Sequence, residues 1–250
     1  MSDSNTSLPR AARIVSITDE NHTIRTFVFD QYLEAEPGQF VMAWLPGVDE
    51  KPFSLVRADP VTLTICRVGP FTDEIFALKS GDQLWLRGPL GQPFTLNNQS
   101  PVSRIRPPIL LIAGGYGVAP LHFLAERARS AGREVTAIIG ARTASSIVFA
   151  RRTAALGAQV IITTDDGSLG EQGLASEAAQ RLLTQAEFQT LYACGPESML
   201  EAVESLARAY KMPAQLSYER YMRCGFGVCG SCSREGWLVC HDGPVCSISP

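Results

Sequence analysis

The distribution of the cysteines restricts the fold of this chain more than any other feature of its sequence. Two of the seven cysteines, Cys66 and Cys194, lie in the first 223 residues, whereas the other five lie in the last 27. Residues 217–250 are rich in glycine and cysteine and have little hydrophobic periodicity. A segment this short cannot build a hydrophobic core alone, so we expect a metal centre to stabilise it.

Four of these cysteines have the spacing of an iron–sulfur site. Three of them form a C-x4-C-x2-C motif, and the fourth follows after seven residues. This is the plant-type spacing for a [2Fe–2S] cluster, in which a tight loop supplies three thiolates and a later strand the fourth. Glycines within the motif permit sharp turns that direct backbone N–H groups inward. The predicted metal ligands are Cys224, Cys229, Cys232 and Cys240.

Four thiolates can also bind zinc, which is the main alternative for this segment. Zinc sites more often use two paired C-x2-C motifs, and this tail contains one such pair, Cys229 and Cys232. The spacing therefore favours iron and sulfide over zinc. The fifth cysteine, Cys246, is interpreted as a spare thiol near the cluster.

The overall composition indicates a globular protein. The chain is 45% hydrophobic, and 22 basic residues against 25 acidic ones give a formal charge of −3. This balance provides no large cationic surface for nucleic acid. The first ten residues are polar, and the apolar run around Pro108 is too short to cross a bilayer. We therefore expect a cytoplasmic protein that binds neither nucleic acid nor membrane.

The first hundred residues are predicted to form a small antiparallel barrel. Short segments rich in Val, Ile, Thr and aromatic residues alternate with turn residues such as Pro37-Gly38. Even spacing of this kind is typical of a barrel, with one short helix predicted over Thr72–Lys79. The predicted strands are Ala12–Ile17, Thr23–Phe29, Gln39–Leu45, Val61–Val68 and Asp82–Arg87.

Beyond Pro108 the pattern changes to strands that alternate with helices, which predicts a doubly wound parallel sheet. Strands are predicted at Val135–Gly140 and Gln159–Thr164, after an apolar strand that ends in glycines. The predicted helices are Ala119–Arg129, Ala175–Leu183 and Glu197–Tyr210. The predicted fold class is thus a β barrel plus an α/β domain, with domains at residues 1–102, 103–216 and 217–250, the last a small [2Fe–2S] loop domain.

Two glycine-bearing segments of the α/β domain each follow a strand and open a helix. They contain Gly114, Gly115 and Gly117 in the first, and Cys194, Gly195 and Pro196 in the second. Two such junctions on one sheet would form a crevice for a dinucleotide at the carboxyl ends of the strands. Taken alone, Cys194 is better explained as a buried core thiol than as a reactive one.

The order of the motifs PGQF, KPFS, ICR, RGPLG, AGGYGVAPL and YACGPESML resembles the ferredoxin–NADP reductase superfamily over nearly the whole chain. With CGFGVCGSC and VCHDGPV at its end, the chain is similar to the electron-transfer subunits of class 1B dihydroorotate dehydrogenase. The resemblance implies FAD in the barrel, NAD on the second domain and a [2Fe–2S] cluster on the tail. It also implies a heterotetramer with an FMN-containing dihydroorotate dehydrogenase catalytic subunit.

Carried over by position, the resemblance places the flavin contacts in the barrel. They would be Lys51, Pro52, Phe53, Ser54, Ile65, Cys66, Arg67, Phe71 and Thr72. Three departures from the family pattern stand out. Lys51 stands where the family has an arginine, and lysine lacks the planar guanidinium group that can bind a phosphate through two hydrogen bonds. Phe71 replaces a glycine, and Tyr116 replaces a smaller residue in the nicotinamide segment.

The function that the resemblance implies is electron transfer in pyrimidine biosynthesis by an NAD-dependent flavin and iron–sulfur oxidoreductase subunit. A flavin bridges the two-electron chemistry of NADH and the one-electron chemistry of a cluster, so no acid–base catalytic residue is required. The nearest alternative is the gamma-type reductase subunit of a cytoplasmic hydrogenase or an anaerobic sulfite reductase. A different kind of function is that of a non-catalytic binding module with the same fold, stabilised by a zinc ion. The sequence leaves NAD and NADP undistinguished.

Overall fold

The computed structural model describes residues 8–96 and 107–249, which divide into two compact units. The barrel unit comprises the described residues of Met1–Pro93 together with Glu219–Pro244. The sheet unit comprises those of Phe94–Tyr218 and Val245–Pro250. The predicted division into three domains stays a prediction, and its boundary at 102/103 lies outside the described residues.

The barrel unit contains six antiparallel strands that close in the order β1-β2-β5-β4-β3-β6. Side chains such as Phe27, Leu63 and Leu84 are fully buried within it. The sequence-based strands agree with five of the six to within a few residues, and β4 is the strand that they omit. The elements are β1 (Arg10–Asp19), β2 (Ile24–Phe29), β3 (Phe40–Leu45), β4 (Asp49–Ala58), β5 (Val61–Cys66), α1 (Pro70–Ala77) and β6 (Gln83–Leu90).

The cysteine-rich segment 219–244 shares a hydrophobic cluster with the barrel. Phe40 and Met42 of β3 and Leu90 of β6 pack against Cys232 and Cys240. Counting strands in chain order, β13 (Ser233–Arg234) and β14 (Trp237–Leu238) form a two-stranded hairpin within this segment. The tail therefore obtains its apolar support from the outer surface of the barrel strands.

The sheet unit contains seven strands in the order β10-β9-β8-β7-β11-β12-β15, all parallel to their neighbours except the edge strand β15. Helices α2 and α3 pack together, as do α4 and α5. The elements are β7 (Ile109–Gly114), α2 (Val118–Ser130), β8 (Val135–Ala141), α3 (Ala150–Ala155), β9 (Gln159–Thr164), β10 (Glu171–Gln172), α4 (Ala175–Gln185), β11 (Leu191–Cys194), α5 (Glu197–Ala209), β12 (Ala214–Ser217) and β15 (Val245–Ile248).

The strand order reverses direction between β7 and β11. From β7 the chain proceeds outward to β8, β9 and β10, and it then returns to β11 on the other side of β7. Ligands of open α/β sheets bind at such a switch point, outside the carboxyl ends of the strands. The predicted fold class, a β barrel plus a doubly wound α/β domain with a small cysteine-rich tail, is confirmed.

No helix among the described residues is both long and apolar enough to cross a membrane.

A buried glutamine attaches residues 94–95 to the sheet unit. Gln215 in β12 accepts a hydrogen bond from the backbone N–H of Thr95 at 2.8 Å. Its Nε2 donates to the Thr95 carbonyl at 2.9 Å, as the Tyr192 hydroxyl also does at 2.9 Å. The ring of Phe94 lies edge-on to Tyr192, 5.8 Å away. These bonds satisfy backbone groups of Thr95 that would otherwise be buried without partners.

We predict that Gln215→Leu lowers the free energy of unfolding of the chain by about 1–3 kcal/mol, because the Thr95 N–H loses its acceptor. Urea denaturation and hydrogen exchange at the Thr95 amide provide the measurement. Gln159→Leu is the matched control, since Gln159 is an exposed residue of the same sheet. Equal unfolding free energies for the two variants would contradict the prediction.

Candidate functional site

The structure brings the four predicted ligands of the tail together as two pairs. The backbone N–H of Cys229 donates to Sγ of Cys224 at 3.5 Å, and the backbone N–H of Cys240 donates to Sγ of Cys232 at 3.4 Å. Cys224 thus lies beside Cys229, and Cys232 lies beside Cys240, within one folded loop. A [2Fe–2S] cluster takes four cysteine thiolates, two on each of its two irons. The observed pairing matches that division.

Backbone N–H groups point at three of these sulfurs. Gly227 donates to Sγ of Cys240 at 3.2 Å, and Val228 donates to Sγ of Cys224 at 3.4 Å. The N–H of Cys240 lies 3.4 Å from Sγ of Cys232. Gly227 has a φ of +85°, a conformation that glycine adopts without strain. Donors of this kind stabilise negative charge on thiolates and tune an iron–sulfur centre.

The two pairs differ in exposure. Cys232 and Cys240 are buried in the cluster shared with the barrel, whereas Cys229 is exposed. Burial, reinforced by the neighbouring Cys232, raises the pKa of the Cys240 thiol to about 12. Hydrogen bonds from the side chain and backbone of Ser231 lower the pKa of Cys229 to about 6. The loop therefore has an inner edge against the barrel and an outer edge at the surface.

The arrangement of the side chains bears on the choice between one metal ion and a cluster. Within residues 8–96 and 107–249, no group of three or more His, Cys, Asp or Glu side chains is arranged to hold one metal ion. A structural zinc site needs four ligands around one ion. Four cysteines in one loop, with backbone N–H groups directed at their sulfurs, form a donor set that fits the [2Fe–2S] cluster that the spacing predicts.

The predicted flavin contacts lie on adjacent elements of the barrel. Lys51, Pro52, Phe53 and Ser54 belong to β4, and β5 beside it ends in Ile65 and Cys66. The rings of Phe53 and Phe71 stack with their centroids 6.3 Å apart, which joins β4 to α1. Arg67 donates to Asp73 at 2.5 Å. The structure thus gathers these residues around β4, β5 and the start of α1.

Thr72 has a local structural role at the start of α1. Its hydroxyl accepts hydrogen bonds from the backbone N–H groups of Val68 and Gly69 at 2.8 and 3.0 Å. It donates in turn to the carbonyl of Gly69 at 2.8 Å. The hydroxyl therefore holds the turn that presents the helix N-terminus, a position that favours an anion such as a pyrophosphate.

Lys51 is held beside the cysteine-rich segment. Its ammonium group lies 2.5 Å from the Asp49 carboxylate and 5.1 Å from the centre of the Tyr221 ring. The hydrogen bond from Lys51 lowers the pKa of Asp49 below its usual range. One side chain therefore contacts both the strand with the predicted flavin residues and the segment that carries the cysteines.

The two predicted nicotinamide segments meet at the switch point of the sheet. Ala113 of β7 lies directly opposite Cys194 of β11 in the parallel register. A Cβ atom at Gly117 would lie 2.3 Å from the carbonyl oxygen of Cys194. A Cβ atom at Gly195 would lie 2.9 Å from Cα of Gly114, and the ring of Pro196 lies over Gly114 as well. Close packing of the two junctions explains these glycines.

Gly115 differs from its neighbours because it has a φ of +56° and open space where a Cβ would be. The next residue, Tyr116, is 44% exposed. The buried Cys194 is 1% exposed, which agrees with its interpretation as a core thiol. Gly115 is therefore the glycine of this segment whose surface remains accessible to a ligand.

Sequence reasoning missed the buried ion pair that borders the cysteine loop. Arg87 of β6 makes a bidentate contact with Glu50 of β4 and also bonds the backbone of Cys224. By strand alternation Arg87 falls on the outer surface of the barrel, so the sequence indicates an exposed residue. The one available signal is its place directly before the Gly88-Pro89 turn of the RGPLG motif.

Comparison with family models matches two segments of the chain. The model of the iron–sulfur cluster binding domain of dihydroorotate dehydrogenase B matches residues 219–249. The model of the oxidoreductase NAD-binding domain matches residues 111–205. The first match contains all four paired cysteines, and the second contains both nicotinamide segments.

Curated relatives match almost the full chain. A probable dihydroorotate dehydrogenase B (NAD(+)) electron transfer subunit from Methanocaldococcus jannaschii is 41% identical over 239 residues, 95% of this chain and 89% of that protein. The protein of the same name from Thermococcus kodakarensis is 43% identical over 237 residues, 94% of this chain and 95% of that protein.

Solved structures share the fold. The structure of the NADH-dependent reduced ferredoxin–NADP oxidoreductase, an enzyme of flavin-based electron bifurcation, superposes with a TM-score of 0.83 at 26% identity, covering 94% of this chain and 87% of that one. The cytochrome b5 reductase domain of Ulva prolifera nitrate reductase has a TM-score of 0.66 at 18% identity over 82% of this chain and 94% of that domain, which shows a shared fold alone.

We predict that Gly117→Ala lowers the melting temperature of the sheet unit and weakens NADH binding. The added methyl would lie 2.3 Å from the Cys194 carbonyl oxygen, so the two junctions must move apart. Differential scanning calorimetry and titration with NADH measure the two effects. Gly69→Ala is the control, since Gly69 has open space for a methyl group and an extended backbone. Wild-type melting and binding in Gly117→Ala would refute the prediction.

Proposed function

Because the chain belongs to the family of the electron transfer subunits of dihydroorotate dehydrogenase B, we propose that it transfers electrons between NAD(H) and a catalytic subunit that contains FMN. The protein is an NAD-dependent oxidoreductase subunit of pyrimidine biosynthesis, and its cofactors are FAD, an iron–sulfur cluster and NAD. The predicted family, activity and cofactors are thereby confirmed. The name of the family implies a catalytic subunit as partner.

We propose that Cys224, Cys229, Cys232 and Cys240 are the ligands of a [2Fe–2S] cluster. The observation that supports this assignment is the arrangement of the four cysteines in one loop, where backbone N–H groups donate to the sulfurs of Cys224, Cys232 and Cys240. When bound, such a cluster accepts and releases single electrons. The chain contributes N–H donors to the sulfurs and buries the inner pair against the barrel, which excludes water from that side.

The proposed flavin contacts are the residues gathered around β4, β5 and α1, from Lys51 to Thr72. These residues would hold FAD, which would supply both two-electron and one-electron redox chemistry at this site. The residues of β4 would orient the flavin, and the N-terminus of α1 would bind its pyrophosphate. The proposed NAD contacts are the two junctions at the switch point, Gly114–Gly117 and Cys194–Pro196.

We propose that the catalytic subunit binds over the outer edge of the cysteine loop. Cys229 is exposed there, and two large apolar side chains beside it are also exposed, Phe226 at 51% and Val228 at 76%. Apolar side chains at the centre of an interface exclude water and carry much of the binding energy. We further propose a heterotetramer, and a location in the cytoplasm because a cluster ligated by thiolates suits a reducing compartment.

The decisive experiment is co-purification of the chain with its partner, followed by an assay of dihydroorotate oxidation coupled to NAD reduction. A complex that contains FMN, FAD and iron in addition to this activity supports the proposal. A partner without FMN, or a nickel-containing partner, would refute it. The two results separate the dihydroorotate enzyme from the hydrogenase-type reductase.

We predict that Cys229→Ser abolishes the visible and electron paramagnetic resonance signals of the cluster, because one thiolate ligand is lost. FAD content and NADH-dependent dye reduction should persist, since the flavin contacts lie on other elements. Cys246→Ser is the control and should retain the cluster, as Cys246 lies in β15 of the sheet unit. A cluster of wild-type intensity in Cys229→Ser would show that another residue is the ligand.

We predict that Val228→Asp weakens binding of the catalytic subunit by about tenfold or more, because a charge would be buried at the interface. Cluster and flavin spectra of the isolated chain should remain unchanged. Calorimetric titration of the partner measures the affinity. Val15→Asp is the matched control, since Val15 of β1 is likewise exposed, at 53%. Equal affinities of the two variants would show that the partner binds elsewhere.

A further inference from the structure

Arg87 is a buried cation on the outer side of a barrel strand. Leu84 and Leu86 of β6 are buried at 0% and 3% exposure, and strand alternation places Arg87 on the opposite face from Leu86. A residue on that face would ordinarily be in water. Arg87 is nevertheless only 6% exposed. Its burial requires both a counter-ion and a covering segment, since an unpaired buried charge strongly destabilises a fold.

The counter-ion is Glu50. Nε and Nη2 of Arg87 donate to the two carboxylate oxygens of Glu50 at 2.7 and 2.8 Å. This bidentate geometry uses the planar guanidinium fork, which lysine lacks. Strands β4 and β6 both pair with β3, so the ion pair spans the outer face of β3. The guanidinium is therefore held in one orientation.

The covering segment is the cysteine loop. Nη2 of Arg87 also donates to the backbone carbonyl of Cys224 at 2.7 Å. The Phe226 ring lies 5.5 Å from the guanidinium carbon, close enough for a cation–π interaction. Nη1 is buried and has no hydrogen-bond acceptor among the residues that the structure describes. The loop thus receives both a hydrogen bond and an aromatic contact from one side chain.

A second contact holds the same turn against the barrel. A Cβ atom at Gly225 would lie 2.8 Å from Cγ of Met42, and the φ of Gly225 is +75°. Met42 is fully buried and is opposite Arg87 in the pairing of β3 with β6. The Cys224 carbonyl and the glycine that follows it are therefore both restricted, which restricts the position of the Cys224 thiol.

We propose that Arg87, oriented by Glu50, is the positioning residue for the first thiol pair of the cluster loop. By fixing the Cys224 carbonyl it keeps the Cys224 and Cys229 sulfurs in place to retain iron. Glu50 directly precedes Lys51, the first proposed flavin contact, so the same ion pair connects the cluster loop to the flavin strand. The inference rests on the proposed ligand set and adds a residue outside that set, which acts through the backbone of Cys224.

The test uses the double variant Glu50→Met/Arg87→Met in the full-length holo chain. Removing both charges leaves no unpaired buried ion, so the barrel remains folded while the bond to Cys224 is lost. We expect iron transfer to a chelator to be about tenfold faster than in the wild type, as for loss of other groups that orient metal ligands. Amide hydrogen exchange in residues 224–230 should also accelerate, whereas exchange in β2 and β5 should not.

Arg87→Lys keeps the positive charge but loses the planar guanidinium group. We expect its iron-release rate to lie between those of the wild type and the double variant. Arg25→Met is the matched control. Arg25 also contacts a carboxylate, Asp19, at 2.6 Å, a backbone carbonyl, that of Phe76, at 2.7 Å, and the Phe76 ring. Its contacts belong to α1 and β1, so its loss should leave iron release unchanged.

The outcomes separate the inference from the proposed function. A wild-type chain that holds no iron would refute the proposed ligand set. A wild-type chain that holds iron, with equal release and exchange rates in the double variant, would refute the role of Arg87 alone. Faster exchange throughout the barrel in the double variant would also refute it, since Arg87 would then stabilise the barrel and not the loop.

Discussion

The packing of the cysteine loop on the outer face of β3 is the constraint on which the rest of the barrel unit depends. The loop has too few apolar residues to form a core, and Phe40, Met42 and Leu90 of the barrel provide the missing surface. Burial of Cys232 and Cys240 in this cluster leaves Cys229 at the surface. The asymmetry of the four thiols, with Cys232 and Cys240 buried, Cys224 half-buried and Cys229 exposed, follows from this single contact.

The same contact explains why Arg87 is buried, although it lies on the face of a barrel strand that is ordinarily exposed to solvent. Arg87 is covered because the loop lies over it, and it is tolerated because Glu50 neutralises it through two hydrogen bonds. Its remaining bond is made to the loop itself. Charge-assisted bidentate hydrogen bonds in a poorly hydrated environment are strong and directional. They hold the guanidinium in one orientation, so that it can fix the position of a backbone carbonyl.

In the sheet unit the main constraint is steric, because two strand-to-helix junctions pack closely against each other. Gly114, Gly117 and Gly195 lie where a side chain would collide with the opposite junction. The glycines thereby allow β7 and β11 to present their carboxyl ends together at the switch point of the sheet. Gly115 is half-buried and has no such neighbour, so its Cβ side is open to a dinucleotide.

Much of this organisation is determined by sequence-local properties. Hydrophobic periodicity predicted the β9 segment with its observed bounds and four of the five α-helices to within about two residues, because alternation and amphipathicity act over short distances. The short helix α3 was not predicted. The cysteine spacing identified the four thiols that meet in space, since a C-x4-C-x2-C loop closes on itself. The residues with proposed flavin and nicotinamide roles came from the resemblance of motifs and stay predictions in detail.

Only the tertiary structure decided how the tail is supported. Arg87 and Cys224 are 137 residues apart, and no local pattern marks them as partners. The burial of Arg87 depends on the cysteine loop, which folds over β6 from the far end of the chain. Strand β4 was not predicted because Pro52 and the charged residues Glu50 and Lys51 interrupt its alternating hydrophobic pattern. Spacing determined which thiols meet, whereas long-range packing determined which of them face the barrel and which face solvent.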